Sequence, residues 1–206
     1  MSTTAVCLPS SAAQLLESIL MALAIITCGQ GVHGKPINSM VGPYIAYVER
    51  FYNCDPENRT LPWRWYLRGS HFNPFKPKEF QRLTGNITLT NATFDDSCSM
   101  KIILDLRSNN QWKENAFVFN FRKNACRVFK ENNPTLYEVV YKKRESNGAC
   151  ILKPGVYELN NASVDWTFPN VPILPYGRYR LRSMTGKADD LYSCWAADCR
   201  AVPKSD

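Results

Sequence analysis

Apolar and polar residues alternate along much of the chain after Gly85, which predicts a series of β-strands. Met100, Ile102, Leu104 and Leu106 would lie on one strand face, because successive side chains of a strand point to opposite sides. After a turn at Asn109-Asn110, a second apolar row follows, and two more come later in the chain: Phe117, Phe119 and Phe121; Val164, Trp166 and Phe168; Tyr179 and Leu181. Turn signals every ten or so residues, and a last strand over 191–202, favour a mainly β fold, an antiparallel β-sandwich or an open cup.

One short helical segment, about residues 124–145, interrupts the strands. Asn133-Pro134 supplies an N-cap followed by proline at the first helical position. Leu136, Val139 and Val140 follow at helical spacing, and Gly148 closes the segment. Residues 61–78 hold five aromatic side chains among three prolines without a clean period, so a long aromatic loop is predicted there.

The loop Val171-Pro-Ile-Leu-Pro-Tyr176 has an apolar tip between two predicted strands. Its prolines are expected to keep it out of the sheet. Loops usually run through water, so this tip needs an apolar partner. It either lines the opening of a ligand site or packs against the rest of the chain.

Residues 1–31 are predicted to be a signal peptide, with cleavage near 31–34. Ile19 to Ile26 forms an apolar run too short to span a bilayer, and small residues follow it. An uncleaved anchor is the alternative. The remaining residues, 35–206, suit one secreted domain with a sizeable core.

The cysteines and sequons agree with export. Six cysteines remain after cleavage, and their wide spacing in a secreted chain indicates three disulfides rather than a metal site. Four sequons predict N-linked glycans, at Asn58, Asn86, Asn91 and Asn161. Asn86 and Asn91 would face opposite sides of a straight strand, so either the chain bulges or turns between them or one carries no glycan.

The net charge of the whole chain is +7, and loss of Glu17 with the signal leaves 25 basic against 17 acidic residues, about +8. A basic secreted glycoprotein is not expected to bind nucleic acid. Anionic membrane surfaces or acidic head groups are the more natural partners.

The sequence does not favour an enzyme. Only His33 and His71 are present, and His33 lies in or beside the signal segment. The paired carboxylates Asp95-Asp96 and Asp189-Asp190 fall at predicted turns, where solvated turn residues are expected. No metal-binding, phosphate-binding or triad motif accompanies them. No cofactor or metal is therefore expected.

From Cys54 onward the chain resembles the ganglioside activator family and its insect relatives, which include the CheB chemosensory proteins. The resemblance covers roughly residues 53–200 and rests on the order and spacing of several short elements: Asn53-Cys54-Asp55, Gly85-Asn86-Ile87-Thr88 at a strand start, Asn124-Ala-Cys126-Arg-Val-Phe129, Asn133-Pro134, Cys150-x-x-Lys153-x-Gly155-x-Tyr157, Pro169, Leu174-Pro175, Gly177-Arg-Tyr179-Arg180, and Leu191 before Cys194.

That resemblance implies a β-cup, a sandwich splayed open to hold acyl chains, with a helical segment and apolar loops at its mouth. By position it pairs Cys54 with Cys194 and Cys126 with Cys150. Cys98 and Cys199 are then left to each other, a pair that the family pattern does not supply. The activator's further cysteine pair around its lip has no counterpart here.

We therefore expect a secreted or lysosomal glycoprotein that holds a lipid or another hydrophobic ligand and carries or presents it without catalysis. A membrane surface and a hydrolase or receptor would be its partners. The hypothetical cup lining and lip are Leu104, Phe117, Phe119, Val140, Trp166 and Phe168, with Ile173, Leu174 and Tyr176. Arg178, Arg180 and Arg182 would meet anionic head groups or simply form a solvated outer face. The alternatives are a chemosensory protein for a small hydrophobic cue and a ligand-free extracellular interaction protein with a fully packed core.

Overall fold

The computed structural model describes residues 40–57, 59–141 and 150–204. The signal segment and its cleavage site, Asn58 and Gly148 lie outside the described residues. The strands in the described ranges are β1 Val41–Gly42, β2 Tyr44–Asn53, β3 Trp63–Gly69, β4 Gln81–Leu89, β5 Ser99–Ser108, β6 Gln111–Phe121, β7 Gly155–Val164, β8 Leu174–Pro175, β9 Gly177–Lys187 and β10 Asp190–Pro203. The helices are α1 Ala125–Asn132 and α2 Pro134–Val140.

The strands form two main antiparallel sheets, so the mainly β, antiparallel fold class is confirmed. The large sheet has the order β2-β10-β9-β5-β6, the small sheet has the order β3-β4-β7, and β1 pairs with β8. Register confirms the apolar rows of β5 and β6, because Ile102 lies opposite Phe119 and Leu104 opposite Phe117. Leu104 also lies opposite Leu181 of β9, so an apolar row crosses three neighbouring strands at this level.

Two side-chain amides join the sheets along β2. The Asn53 side chain accepts a hydrogen bond from the Trp65 N–H (3.0 Å) and donates one to the Trp65 carbonyl (3.1 Å). The Gln81 side chain does the same for Val48, at 2.9 and 2.7 Å. Each amide pairs with both backbone groups of one residue, as a neighbouring strand would, and so holds β3 and β4 beside β2. The opposite edges of the two sheets are β6 and β7.

The helical segment is confirmed as far as Val140, and its predicted end at 142–145 lies outside the described residues. It is divided at Asn133 into two helices, and Pro134 opens the second. Its buried side chains belong to the central apolar core. Thr135 fastens α2 to the end of β7, since its hydroxyl donates to the Asp165 carbonyl and accepts from the Asp165 N–H, both at 3.0 Å. The disulfide between Cys126 and Cys150 fixes the segment a second time.

The disulfide prediction was partly wrong. Cys54–Cys194 and Cys126–Cys150 are both present, as the resemblance implied. Cys98 and Cys199, in contrast, are free thiols. Cys199 lies level with Tyr179 and Leu106, whereas Cys98 precedes Ser99 at the opposite end of β5. Leu106 and Ser99 are seven residues apart on β5, so Cys199 and Cys98 lie more than about 20 Å from each other along the strand. No disulfide can bridge that distance.

Several local predictions also need correction. Strand β7 ends at Val164, so Trp166 and Phe168 lie in the segment after it and not on a strand face. The aromatic region predicted as a loop contains β3. Gly85 lies in the middle of β4 and does not open it; its φ is +132°, and a Cβ there would come within 1.9 Å of the Tyr66 carbonyl oxygen.

The sequons in the described ranges lie on or beside the small sheet. Asn86 is in β4, Asn161 is an exposed residue of β7, and Asn91 follows the end of β4 with a left-handed φ of 61°. The chain therefore turns between Asn86 and Asn91, which removes the conflict expected of a straight strand. None of the helices in the described ranges is long and apolar enough to cross a membrane.

Candidate functional site

The space between the sheets is filled by aromatic side chains. Trp65 stacks on Trp195 with ring centroids 4.8 Å apart, and Phe129 of α1 contacts the rings of Trp65, Phe94 and Tyr141. The void left among them is about 20 Å³. A space of that size holds about one water molecule, so no hydrocarbon chain fits inside this arrangement.

A small polar spot borders this void. Ser183, Thr185 and Ser193 are buried hydroxyl residues on the inner face of β9 and β10. The Trp65 indole N–H donates to the Ser193 hydroxyl at 3.1 Å, whereas the buried Trp63 indole nitrogen has no hydrogen-bond partner among the described residues. Burial raises the pKa of the neighbouring Tyr141, which keeps its phenol neutral.

The residues predicted to line a cup do not surround one cavity. Leu104, Phe117 and Phe119 are neighbours on β5 and β6. Trp166 lies near the other edge of the large sheet, where its ring contacts Phe51 of β2 and its indole N–H donates to Gln81 at 2.9 Å. Three strand spacings from β5 and four from β6, about 14 to 19 Å, separate the two groups.

Burial divides the predicted residues further. Leu104, Val140, Trp166 and Leu174 are buried in the core. Phe117, Phe168 and Tyr176 are half-buried against it. Phe119 is 36% exposed and Ile173 is 56% exposed, so these two present apolar surface to solvent.

The inner faces of β5 and β6 carry a partly uncovered apolar surface, which we call the edge strip: Ile102, Leu106, Phe117, Phe119 and Phe121. It arises because the small sheet is fixed to the β2 side of the large sheet, and β6 is the last strand on the other side. Phe117 and Phe121 pack partly against the core, while Phe119 between them lies at the surface. The strip is thus a shallow apolar track rather than a deep cup.

The proline-bounded loop mostly packs on the chain. Contrary to the expectation that prolines exclude it from a sheet, Leu174 and Pro175 pair with β1. The Tyr176 N–H donates to the Met40 carbonyl at 2.9 Å, and its hydroxyl donates to the Pro43 carbonyl at 3.1 Å. Only Ile173, of the predicted lip residues, is strongly exposed.

A separate cleft of about 470 Å³ opens beside residues 70–80. Tyr44, Gln81, Val164 and Trp166 form its buried floor. Its rim carries several basic side chains, and Phe72 stacks flat on Tyr47 at 4.2 Å. The cleft was not predicted; the cluster of aromatic residues between 61 and 78 is the one feature of the sequence that pointed to it.

The carboxylates Asp95 and Asp96, considered above as possible catalytic residues, have structural roles. Asp95 accepts from the Ser97 N–H at 2.8 Å, and Asp96 accepts from the Arg127 N–H at 2.9 Å and pairs with the Arg127 guanidinium. Both carboxylates thus stabilise the turn that leads into α1. His71 lies at the rim of the cleft. Within the described ranges, histidine, cysteine and acidic side chains form no group able to hold a metal ion.

Comparison with known proteins gives no further assignment: no protein-family model matches the chain, and no curated protein matches its sequence.

Proposed function

We propose that this chain is a secreted glycoprotein that binds a lipid chain or another hydrophobic molecule along the edge strip and carries or presents it without catalysis. The observation on which this rests is the apolar track of β5 and β6, whose central residue Phe119 is 36% exposed to solvent. The two disulfides implied by the resemblance to the ganglioside activator family are also present.

The site differs from the cup that was expected. Because the void among the aromatic rings is about 20 Å³, we place the ligand on the inner face of β5 and β6 and not between the sheets. Burial of hydrocarbon contributes about 0.8 kcal/mol per CH₂, and a chain on an open track buries only part of its surface. After the cost of association, we expect micromolar rather than nanomolar affinity.

The same proposal indicates which partners the protein would have. A shallow track leaves the head group of a lipid accessible, which suits presentation to a hydrolase or a receptor at a membrane surface. It also suits a small hydrophobic cue, as in the chemosensory relatives of the resembled family.

The densely filled interior favours a second candidate, an extracellular interaction protein that holds no ligand. The aromatic contacts of Trp65, Phe129 and Trp195 are those of an ordinary closed sandwich core. In that case Phe119 and its neighbours would contact another protein.

A matched pair of variants tests the proposal. Phe119→Ser alters the inner face of β6, and Val118→Ser alters the outer face of the same strand at a residue that is 48% exposed. With a fluorescent fatty acid as the probe, we expect Phe119→Ser to weaken binding at least about fivefold and Val118→Ser to leave it unchanged. Equal binding by both variants, or no binding by the unaltered protein, would favour the ligand-free alternative.

A further inference from the structure

The outer face of the large sheet is strongly basic. The arginines of β9 alternate with Tyr179, Leu181 and Ser183, so they point away from the core and were correctly placed as an outward row. Neighbouring strands add further cations to this surface, which we call the basic face: Arg50, Lys101, Arg107, Arg178, Arg180, Arg182 and Arg200.

Three carboxylates hold five of these arginines in place. Glu49 contacts Arg178 at 2.6 Å and Arg200 at 2.7 Å. Asp198 contacts Arg50 at 2.9 Å and lies 3.7 Å from Arg180. The buried Asp105 contacts Arg182 at 2.9 Å. Seven cations and three carboxylates leave an excess of four positive charges, and Lys101 and Arg107 make no ion pair with any described residue.

The guanidinium groups are also ordered by an aromatic ring. Trp112 of β6 lies beneath Arg180, with 4.5 Å between the guanidinium carbon and the ring centroid, and near Arg107 at 5.9 Å. Planar guanidiniums fixed in this way lose little side-chain entropy when they bind a tetrahedral oxyanion through two hydrogen bonds.

Of the sequons that the structure describes, none lies on the basic face, because Asn86, Asn91 and Asn161 lie on or beside the small sheet. Sugars at those asparagines would cover the opposite side of the sandwich. Among the strongly exposed apolar side chains of the described ranges, only Val118 lies on the basic face, at its edge strand. The face therefore offers fixed cations with almost no apolar group that could enter a bilayer.

We infer that the basic face binds a linear sulfated polysaccharide. An array of cations, five of them ion-paired, complements a chain of discrete sulfate groups, and its interspersed carboxylates suit spaced charges better than a continuous anionic surface. This site lies on the opposite side of the large sheet from the edge strip, so it does not depend on the proposed function.

Heparin affinity chromatography and calorimetry of the secreted, glycosylated protein test this inference with two double variants of equal charge. Arg107→Gln with Arg180→Gln removes both cations at Trp112, and Arg68→Gln with Arg82→Gln removes two exposed cations from the small sheet. We expect the first pair to weaken heparin binding about tenfold at physiological salt and the second pair to change it less than about twofold.

Equal weakening by both pairs would show that only the overall charge matters and would overturn the inference. So would tighter binding to anionic phospholipid vesicles than to heparin, or no binding by the unaltered protein. If Arg180→Gln impairs folding, Lys101→Gln with Arg107→Gln replaces it, because neither residue takes part in an ion pair with a described residue. That variant must then show the same selective loss.

Discussion

Gln81 of β4 satisfies both backbone groups of Val48 in β2. Its side-chain oxygen accepts from the Val48 N–H at 2.9 Å, and its side-chain nitrogen donates to the Val48 carbonyl at 2.7 Å. The same amide accepts from the Trp166 indole and donates to the Ser70 carbonyl. One buried side chain therefore joins the two sheets, the cleft floor and the segment after β7, and it closes the sandwich on the side away from the edge strip.

Gln81→Leu is expected to lower the free energy of unfolding by about 3 kcal/mol. The substitution keeps the volume but leaves buried backbone groups of Val48 without partners, and an unsatisfied buried group costs about 1–3 kcal/mol. Urea unfolding measures the change. Gln111→Leu, at an exposed position of β6, is the control and should change stability by less than about 0.5 kcal/mol. A similar small effect at Gln81 would show that this amide does not hold the sheets together.

Substitution by aspartate is expected to lower the stability of the protein at Leu174 but not at Ile173. Leu174 is 8% exposed and Ile173 is 56% exposed. Leu174→Asp would bury an unpaired charge and lose core packing, so we expect a loss of stability of about 3 kcal/mol or more. Ile173→Asp should leave the thermal midpoint nearly unchanged. If both variants were equally stable, the loop would be detached from the core, as a free lip would be.

Alkaline conditions are expected to destabilise the fold. Burial raises the pKa of Tyr44, Tyr141, Tyr179 and Cys98, and it raises the pKa of Cys199 from 9.0 to about 12. These groups bind their protons more tightly in the folded chain than in the unfolded chain. Their contribution to stability is therefore complete below about pH 9 and is lost as the pH rises toward about 12.

Urea midpoints at about pH 8 and about pH 10.5 measure this effect, with the higher pH giving the lower midpoint. Phenolate absorbance is the accompanying control, because the buried tyrosines should ionise only as the chain unfolds. A midpoint that did not change between the two pH values would contradict the burial of these phenols and thiols.

The sequence was most informative where local rules decide the structure. Period-two alternation placed Ile102, Leu104, Phe117 and Phe119 correctly, because a strand with one apolar face has little choice of orientation. Asn133-Pro134 located the start of α2 for a similar reason, since proline suits the first helical position.

Contacts between residues far apart in the sequence could not be predicted in the same way. Alternation continues through Trp166 and Phe168, but hydrogen bonds to Gln81 and Tyr44 hold these residues outside the sheet. The filling of the interior depends on Phe129 of α1 meeting Trp65 of β3, a contact between residues far apart in sequence. An apolar row therefore predicts a buried or apolar face, but it does not show whether the facing sheet leaves a cavity.

The free thiols illustrate the same limit. Cys98 and Cys199 were paired because they were the two cysteines left after the other four had been assigned. The strand register instead places them at opposite ends of the large sheet. Three-dimensional position, rather than the number of cysteines, decides which of them can meet.

Photocrosslinking with a fatty acid that carries a diazirine near its methyl end tests the central claim most directly. Peptide mapping of the labelled protein should find adducts in the peptide containing Phe117, Phe119 and Phe121 and in the one containing Ile102. An excess of unlabelled fatty acid should remove those adducts. Label confined to residues 70–80 at the cleft, or no label that unlabelled fatty acid displaces, would contradict a hydrocarbon site on β5 and β6.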